Sequence, residues 1–296
     1  MSPATSVAPR PPATAVPGSV LSLRGITKTF GSVNALTSIG LEVAAGEVVA
    51  VVGDNGAGKS TLVKVLAGVH RADSGEILVR GRPVQVSDPS AAISLGIATV
   101  FQDLALCENL NVVENLFLGR ELGPARLDEV AMEVRAWELL RQLSARIPTV
   151  RIPVASLSGG QRQTVAIARS LLGEPELIIL DEPTAALGVA QTAEVLDLIE
   201  RLRERGLAVI MVSHNMEDVR AVADRVVVLR LGRNNGVFDV DTVSSHEIVV
   251  EITGATDNAV TRRSARRSGQ SDPVPGRAGA GSGAHRPDHP QEGVTG

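Results

Sequence analysis

"GDNGAGKS" occupies residues 53–60, between a valine-rich run, "EVVAVV" at 47–52, and "TLVKVLAGV" at 61–69. The first run is short, β-branched and apolar, and it reads as a buried strand. The second places Leu62, Val63, Leu66 and Val69 at helical spacing. Together they give G-x-x-x-x-G-K-[ST] in the context it needs, a strand followed by a helix. Glycines let the backbone turn tightly and bring its N–H groups close to oxygen. The helix start adds about half a positive charge. Lys59 is placed to reach the β- and γ-phosphates of a nucleoside triphosphate, and the Ser60 hydroxyl to hold Mg²⁺. The candidate cradle is therefore Gly53, Asp54, Asn55, Gly56, Ala57, Gly58, Lys59, Ser60 and Thr61. It points to a triphosphate but not to what the energy does.

Composition narrows the field. The chain has 296 residues, room for one large domain or two small ones. Hydrophobic residues make up 44% and aromatics only 2%, so the core must be Ala, Val, Leu and Ile. Stacking of bases on aromatic platforms is not its main business. The formal net charge of −4 argues against a globally basic nucleic-acid binder, and no nucleic-acid partner is expected. The single cysteine, Cys107, excludes an internal disulfide and suits a reducing compartment. No apolar run approaches the roughly 18 residues that a spanning helix needs. Residues 1–18 are rich in Pro, Ala and Thr, lack the apolar stretch of a secretory signal, and read as a disordered leader. Residues 257–296 are rich in Gly, Pro, Ser and Arg and read as a disordered tail. Its cluster Arg262, Arg263, Arg266 and Arg267 is expected to be solvated rather than bound to lipid or nucleic acid.

Between these ends, strands alternate with helices. Residues 19–46 read as short strands with a break at Gly31, and "GEILVRGRPV" at 75–84 as a hairpin. "DPSAAISLG" at 88–96 reads as a short helix and "IATVFQ" at 97–102 as a buried strand. Residues 112–146 read as helical, with Trp137, Leu139, Leu140 and Leu143 on one apolar side. A helix over about 159–173, the strand "LIILDE", a helix over about 189–205, the strand "AVIMVS", a short helix and the strand "RVVVLRLG" complete the core. Such alternation implies a mostly parallel sheet with helices on both faces. Ligands in such sheets sit beyond the carboxyl ends of the strands. Gly53, Gln102, Asp181 and His214 all end or directly follow an apolar strand, so they fall at one edge.

Two further stretches carry chemistry. "LIILDEPT" at 177–184 ends an apolar strand in Asp181 and Glu182. Asp181 is placed to hold Mg²⁺, and Glu182 to act as general base on the attacking water. "LSGGQRQ" at 157–163 opens the apolar helix "TVAIARSLL". Ser158 is a good N-cap, while Gly159 and Gly160 leave backbone N–H groups bare, which makes a second anion site.

"GDNGAGKS", "LSGGQ" and "LDEP", in that order with a later His214, resemble the ATP-binding subunit of ABC transporters. The resemblance covers about residues 19–254. It implies an α/β fold of the ABC type: a RecA-like, mostly parallel core, an antiparallel β subdomain and a helical subdomain. The nucleotide-binding domain is expected over 19–256, with the helical subdomain at about 103–158. The family pairs head to tail, with two MgATP sandwiched between one chain's phosphate loop and the other's Ser158, Gly159, Gly160 and Gln161. Phe30 in "KTFG" matches the aromatic that stacks on adenine. Gln102 in "VFQD" matches the glutamine that senses Mg²⁺ and the attacking water and couples to the membrane partner. His214 in "VSHN" matches the histidine that contacts γ-phosphate. After "LDEPT" the family usually reads S-A-L-D; here it reads "AALG", so Gly188 replaces an aspartate that normally reaches across the dimer.

The wording of "SLGIATVFQDLALCENLNVVENLFLGRE" and "PTAALGVAQTAEVLDLI" is similar to the ribose, xylose and fructose import branch, Gly188 included. The resemblance implies an ATPase that binds separate membrane permease subunits at the cytoplasmic face. It would pair with a second copy of itself or a sister ATPase, and a solute-binding protein would deliver a monosaccharide. The rival expectation is a soluble ABC ATPase not engaged in transport.

Overall fold

The computed structural model describes residues 18–123 and 127–254. The leader and the arginine-rich tail lie outside the described residues. The central sheet has six strands in the order β10-β9-β3-β8-β7-β6. Five run parallel: β3 (Val48–Gly53), β6 (Ile97–Val100), β7 (Leu177–Asp181), β8 (Ala208–Val212) and β9 (Arg225–Arg230). Only β10 (Arg233–Asp239), at one edge, pairs antiparallel. A second, four-stranded antiparallel sheet has the order β2-β1-β4-β5, from β1 (Ser19–Phe30), β2 (Val33–Ala44), β4 (Ser74–Val79) and β5 (Arg82–Val84).

The pleat of β3 shows how the layers are built. Side chains alternate across a strand. Val48, Ala50 and Val52 pack into one core, with α5 (Gly159–Leu171), α6 (Val189–Glu204) and α7 (Met216–Val222). Val49 and Val51 pack into the other, against α1 (Lys59–Leu66), α2 (Pro89–Ser94) and the antiparallel sheet. A strand covered on both faces must be apolar throughout, which is why all six residues of β3 are buried.

Three expectations need correction. The helix over 112–146 is two helices, α3 (Val112–Phe117) and α4 (Glu129–Gln142). Gly119 and Gly123 between them hold left-handed φ of 75° and 115°, which a helix cannot continue through. Leu139, Leu140 and Leu143 are buried, but Trp137 is only partly so. Val69 is 48% exposed rather than on the buried face, because α1 ends at Leu66. The core also continues past "RVVVLRLG" into β10 and α8 (Ser245–Thr253). β10 reads "RNNGVFD", with exposed and half-buried positions alternating, so an edge strand of this polarity carries little apolar signal.

Candidate active site

The phosphate loop joins β3 to α1. Gly58 caps α1 with φ 106°, and a Cβ there would lie 2.7 Å from the Ala35 carbonyl oxygen and 2.9 Å from Leu36 Cδ2. Gly53 is similarly pressed against the Leu229 carbonyl. The turn after β9 clamps the loop from behind, with Gly232 N–H donating to Ala57 O at 3.0 Å. Inside the loop, Ala57 N–H donates to Asp54 O and Asn55 N–H to Asp54 Oδ1. The N–H groups of Gly56, Gly58, Lys59, Ser60 and Thr61 have no protein acceptor among the described residues. Lys59 Nζ folds back onto the Gly53 and Asp54 carbonyls at 2.7 and 3.1 Å. Five bare amides and a lysine at a helix start form a cradle for oxyanions.

The acidic pair stands at the same sheet edge. Asp181 ends β7 and pairs in register with Val212 of β8. Burial pushes its carboxyl above the usual range, the charge of Glu182 pushes it further, and Lys59 and Lys64 pull the other way. Glu182 turns out of the strand at φ 51°, its N–H bonded to Val212 O at 2.9 Å. Its Oε2 lies 2.7 Å from His214 Nδ1. His214 is 72% exposed and Glu182 is mostly covered, so the pair opens outward from the sheet edge. Gln102 lies two residues beyond β6, exposed. Gly53, Gln102, Asp181 and His214 thus follow four neighbouring parallel strands.

Phe30 ends β1 and is 43% exposed. The His70 ring stands edge-on to it at 5.1 Å, and Lys28 Nζ lies 5.4 Å from its centroid. Lys28 is bonded to Asp73, which with Thr29 holds the Asp73 carboxyl down to about 2.

"LSGGQ" is not part of this cluster and shares no hydrogen bond with the phosphate loop among the described residues. It opens α5 in a capping box, Ser158 Oγ accepting from Gln161 N–H and Gln161 Oε1 from Ser158 N–H. Gln161 Nε2 also donates to Arg146 O. The Gly159 and Gly160 amides have no acceptor among the described residues, but these glycines also serve packing. A Cβ on Gly159 would lie 2.7 Å from Leu187 Cδ2, and one on Gly160 would lie 3.3 Å from Gln191 Cβ. Gly188, at the N-cap of α6, has φ −76° and open space around its Cβ direction, so nothing in this chain's fold demands glycine there.

Sequence reasoning passed over the bracing of these loops. Thr184 Oγ1 donates to the buried Asp218 of α7 at 2.6 Å, tying the turn after Glu182 to the helix after His214. Asn115, fully buried, bonds the Cys107, Leu110 and Asn111 carbonyls and the Cys107 N–H. Arg169 holds the Leu104 and Ala105 carbonyls. Single polar residues in apolar helices carry no readable pattern; only their partners reveal them.

Residues 36–185 match the family described as ABC transporter. The chain belongs to the ABC transporter family. The cassette is 44% identical over 215 residues to the xylose/arabinose import ATP-binding protein of Sulfolobus acidocaldarius, covering 72% of this chain and 86% of that one. It is 42% identical over 247 residues to the fructose import ATP-binding protein of Rhizobium meliloti, covering 80% and 95%. A ribose import ATP-binding protein of Escherichia coli O157:H7 is 42% identical over 236 residues, but this chain spans only 46% of its length. Among solved structures, a nucleotide-free ATP-binding cassette from an ABC transporter superposes with TM-score 0.69 at 24% identity, over 80% of this chain and 96% of that one. A dimeric cassette in a post-hydrolysis state bound to ADP and Pi gives 0.63 at 27%, over 74% and 98%. This ABC cassette is an ATP-binding subunit and an ATPase. No helix among the described residues is long and apolar enough to cross a membrane.

Proposed function

We propose that this cassette energises uptake of a monosaccharide through separate permease subunits, lying peripherally on the cytoplasmic side of the membrane. The relatives named for xylose/arabinose, fructose and ribose import support the substrate class. A sugar would be delivered by a solute-binding protein and would never touch this chain.

The observation that carries the catalytic reading is the Glu182–His214 pair, 2.7 Å apart at the edge that holds the phosphate loop. Lys59 exchanges its two carbonyl partners for the β- and γ-phosphates, and the five bare amides bind phosphate oxygens. Phe30 stacks on adenine. Glu182 takes the proton of the attacking water, and His214 orients Glu182 and contacts the γ-phosphate. Asp181 is a partly buried carboxylate beside Glu182, a setting that suits a divalent cation, with Ser60 and Gln102 supplying neutral oxygens. No group of three or more His, Cys, Asp or Glu among the described residues would hold a metal alone, so these donors would share it with phosphate and water. Mg²⁺, when bound, neutralises charge on the phosphate oxygens.

Ser158, Gly159, Gly160 and Gln161 complete the site of a second copy or a sister subunit. Closure on ATP, and reopening after phosphate leaves, drives the permease because ATP binds the closed state better. A cleft of about 270 Å³ beside the Gln102 loop, rimmed by the exposed Leu118 and Ile93, supports docking of a permease element there. The test is Glu182→Gln: turnover should fall by about 10²–10⁴-fold. ATP binding, read with a fluorescent analogue, should stay within about twofold. Unchanged turnover would remove Glu182 as base.

A further inference from the structure

We propose that Arg169 is the positioning residue that sets Gln102, by fastening the loop behind it to the helix that begins with "LSGGQ". This rests on the reading of Gln102 given above.

The loop after β6 has no regular structure to hold it. Its third and fourth residues past Phe101 expose two carbonyls, Leu104 O and Ala105 O. Arg169 Nη2 donates to the first at 2.7 Å and Nη1 to the second at 2.8 Å. Ala105 sits at φ 49°, a left-handed conformation that a non-glycine residue keeps only when its surroundings enforce it. Ala105 N–H also donates to Asp103 Oδ1 at 3.1 Å, so the chain is tied down directly behind Gln102. The guanidinium is partly buried, and burial pulls its pKa down.

Arg162 approaches Glu108 at 3.8 Å from the same helix. Arg162 and Arg169 are two turns apart on α5 and share a face, so the same face of the helix meets the loop at two points. A planar fork of donors fits two carbonyls in a way that a single ammonium does not. Arg169 also lines the cleft with Phe101 and Asp103, so anything entering the cleft presses on the same linkage. Through α5, one chain's Gln102 is joined to the "LSGGQ" that it offers to the other ATP site.

The test compares Gln102→Ala, Arg169→Lys and the double variant in the full chain, titrating free Mg²⁺ at fixed ATP and reading both hydrolysis and the Mg²⁺-dependent binding of a fluorescent ATP analogue. Arg169→Lys keeps the charge and the stem, so the fold is retained. The Mg²⁺ concentration for half-maximal hydrolysis should rise in Gln102→Ala by about tenfold or more, as for loss of one of the cation's oxygen donors. It should rise in Arg169→Lys in the same direction, and the double variant should add nothing to Gln102→Ala. A merely structural role lowers the active fraction and leaves the half-saturation in place. A shift in Gln102→Ala with none in Arg169→Lys, or additive shifts, would overturn the assignment to Arg169. No shift in Gln102→Ala would overturn the reading of Gln102 itself, and this inference with it.

Discussion

Helix α1 starts at Gly58 with a left-handed backbone and no side chain bonding its first amides, whereas α5 starts at Ser158 inside a capping box. Both are glycine-rich helix starts. At α1, glycine is needed because a Cβ would strike backbone atoms, which cannot move aside. At α5, glycine is needed because a Cβ would meet side chains of the turn before α6 and of α6 itself. The first cradle draws a lysine, five bare amides and an acidic pair from one chain at one sheet edge. The second offers two amides without an acceptor among the described residues, which suits a surface completed by a partner.

The comparison breaks most sharply at Gly58. Gly58→Ala combines φ 106° with a 2.7 Å approach to a carbonyl. The strain of about 1–3 kcal/mol alone should weaken ATP binding by about fivefold to about 150-fold. Calorimetric titration with MgATP checks it, and wild-type affinity would show that the loop is not held as described.

Gly159→Ala should act differently. Its contact is with the flexible end of Leu187, so about 1–2 kcal/mol of stability is expected to go, with ATP affinity intact. In the proposed head-to-tail pair, where the partner's "LSGGQ" completes the site, hydrolysis should fall. Adding Leu187→Ala should restore the melting temperature; failure to do so would mean the cost is not packing.

Asp181 sharpens the electrostatic side. Its folded pKa is raised, so the ionised carboxylate destabilises the nucleotide-free fold at neutral pH. That cost is fully present above the folded pKa and disappears as pH falls below the unfolded one, about 3.9. Asp181→Asn should therefore melt at a higher temperature than the native chain at pH 7, with the gap closing toward pH 4. A lower melting temperature at pH 7 would contradict the direction of the shift.

The smallest effect is expected at Gly188. Gly188→Asp adds an N-cap side chain to α6, with a gain of a few tenths of a kcal/mol. If hydrolysis becomes more steeply dependent on ATP concentration, the missing aspartate governs how the two sites communicate. If only the melting temperature moves, the position belongs to the helix alone.

Much of this was legible beforehand for specific reasons. The phosphate loop, "LDEP" and "LSGGQ" are contiguous, and each depends on backbone conformations that few residues adopt, so type and spacing carry the signal. The parallel core was legible because strands buried on both faces are continuously apolar. The split of the 112–146 helix was missed although Gly119, Gly123 and Pro124 mark it in the sequence. The edge strand β10 was not read either, since its polarity matches that of a loop.

By itself the sequence showed which motifs would hold and cut a triphosphate, because each motif is a short contiguous run in which residue type and spacing carry the signal. Tertiary structure alone decided that His214 stands against Glu182, that Asp218 holds Thr184, and that Arg169 reaches back across 64 positions to Ala105. Those partners are distant in sequence or share no fixed spacing. They meet only because four parallel strands end at one edge and α5 packs beside it, and no local pattern encodes that distance.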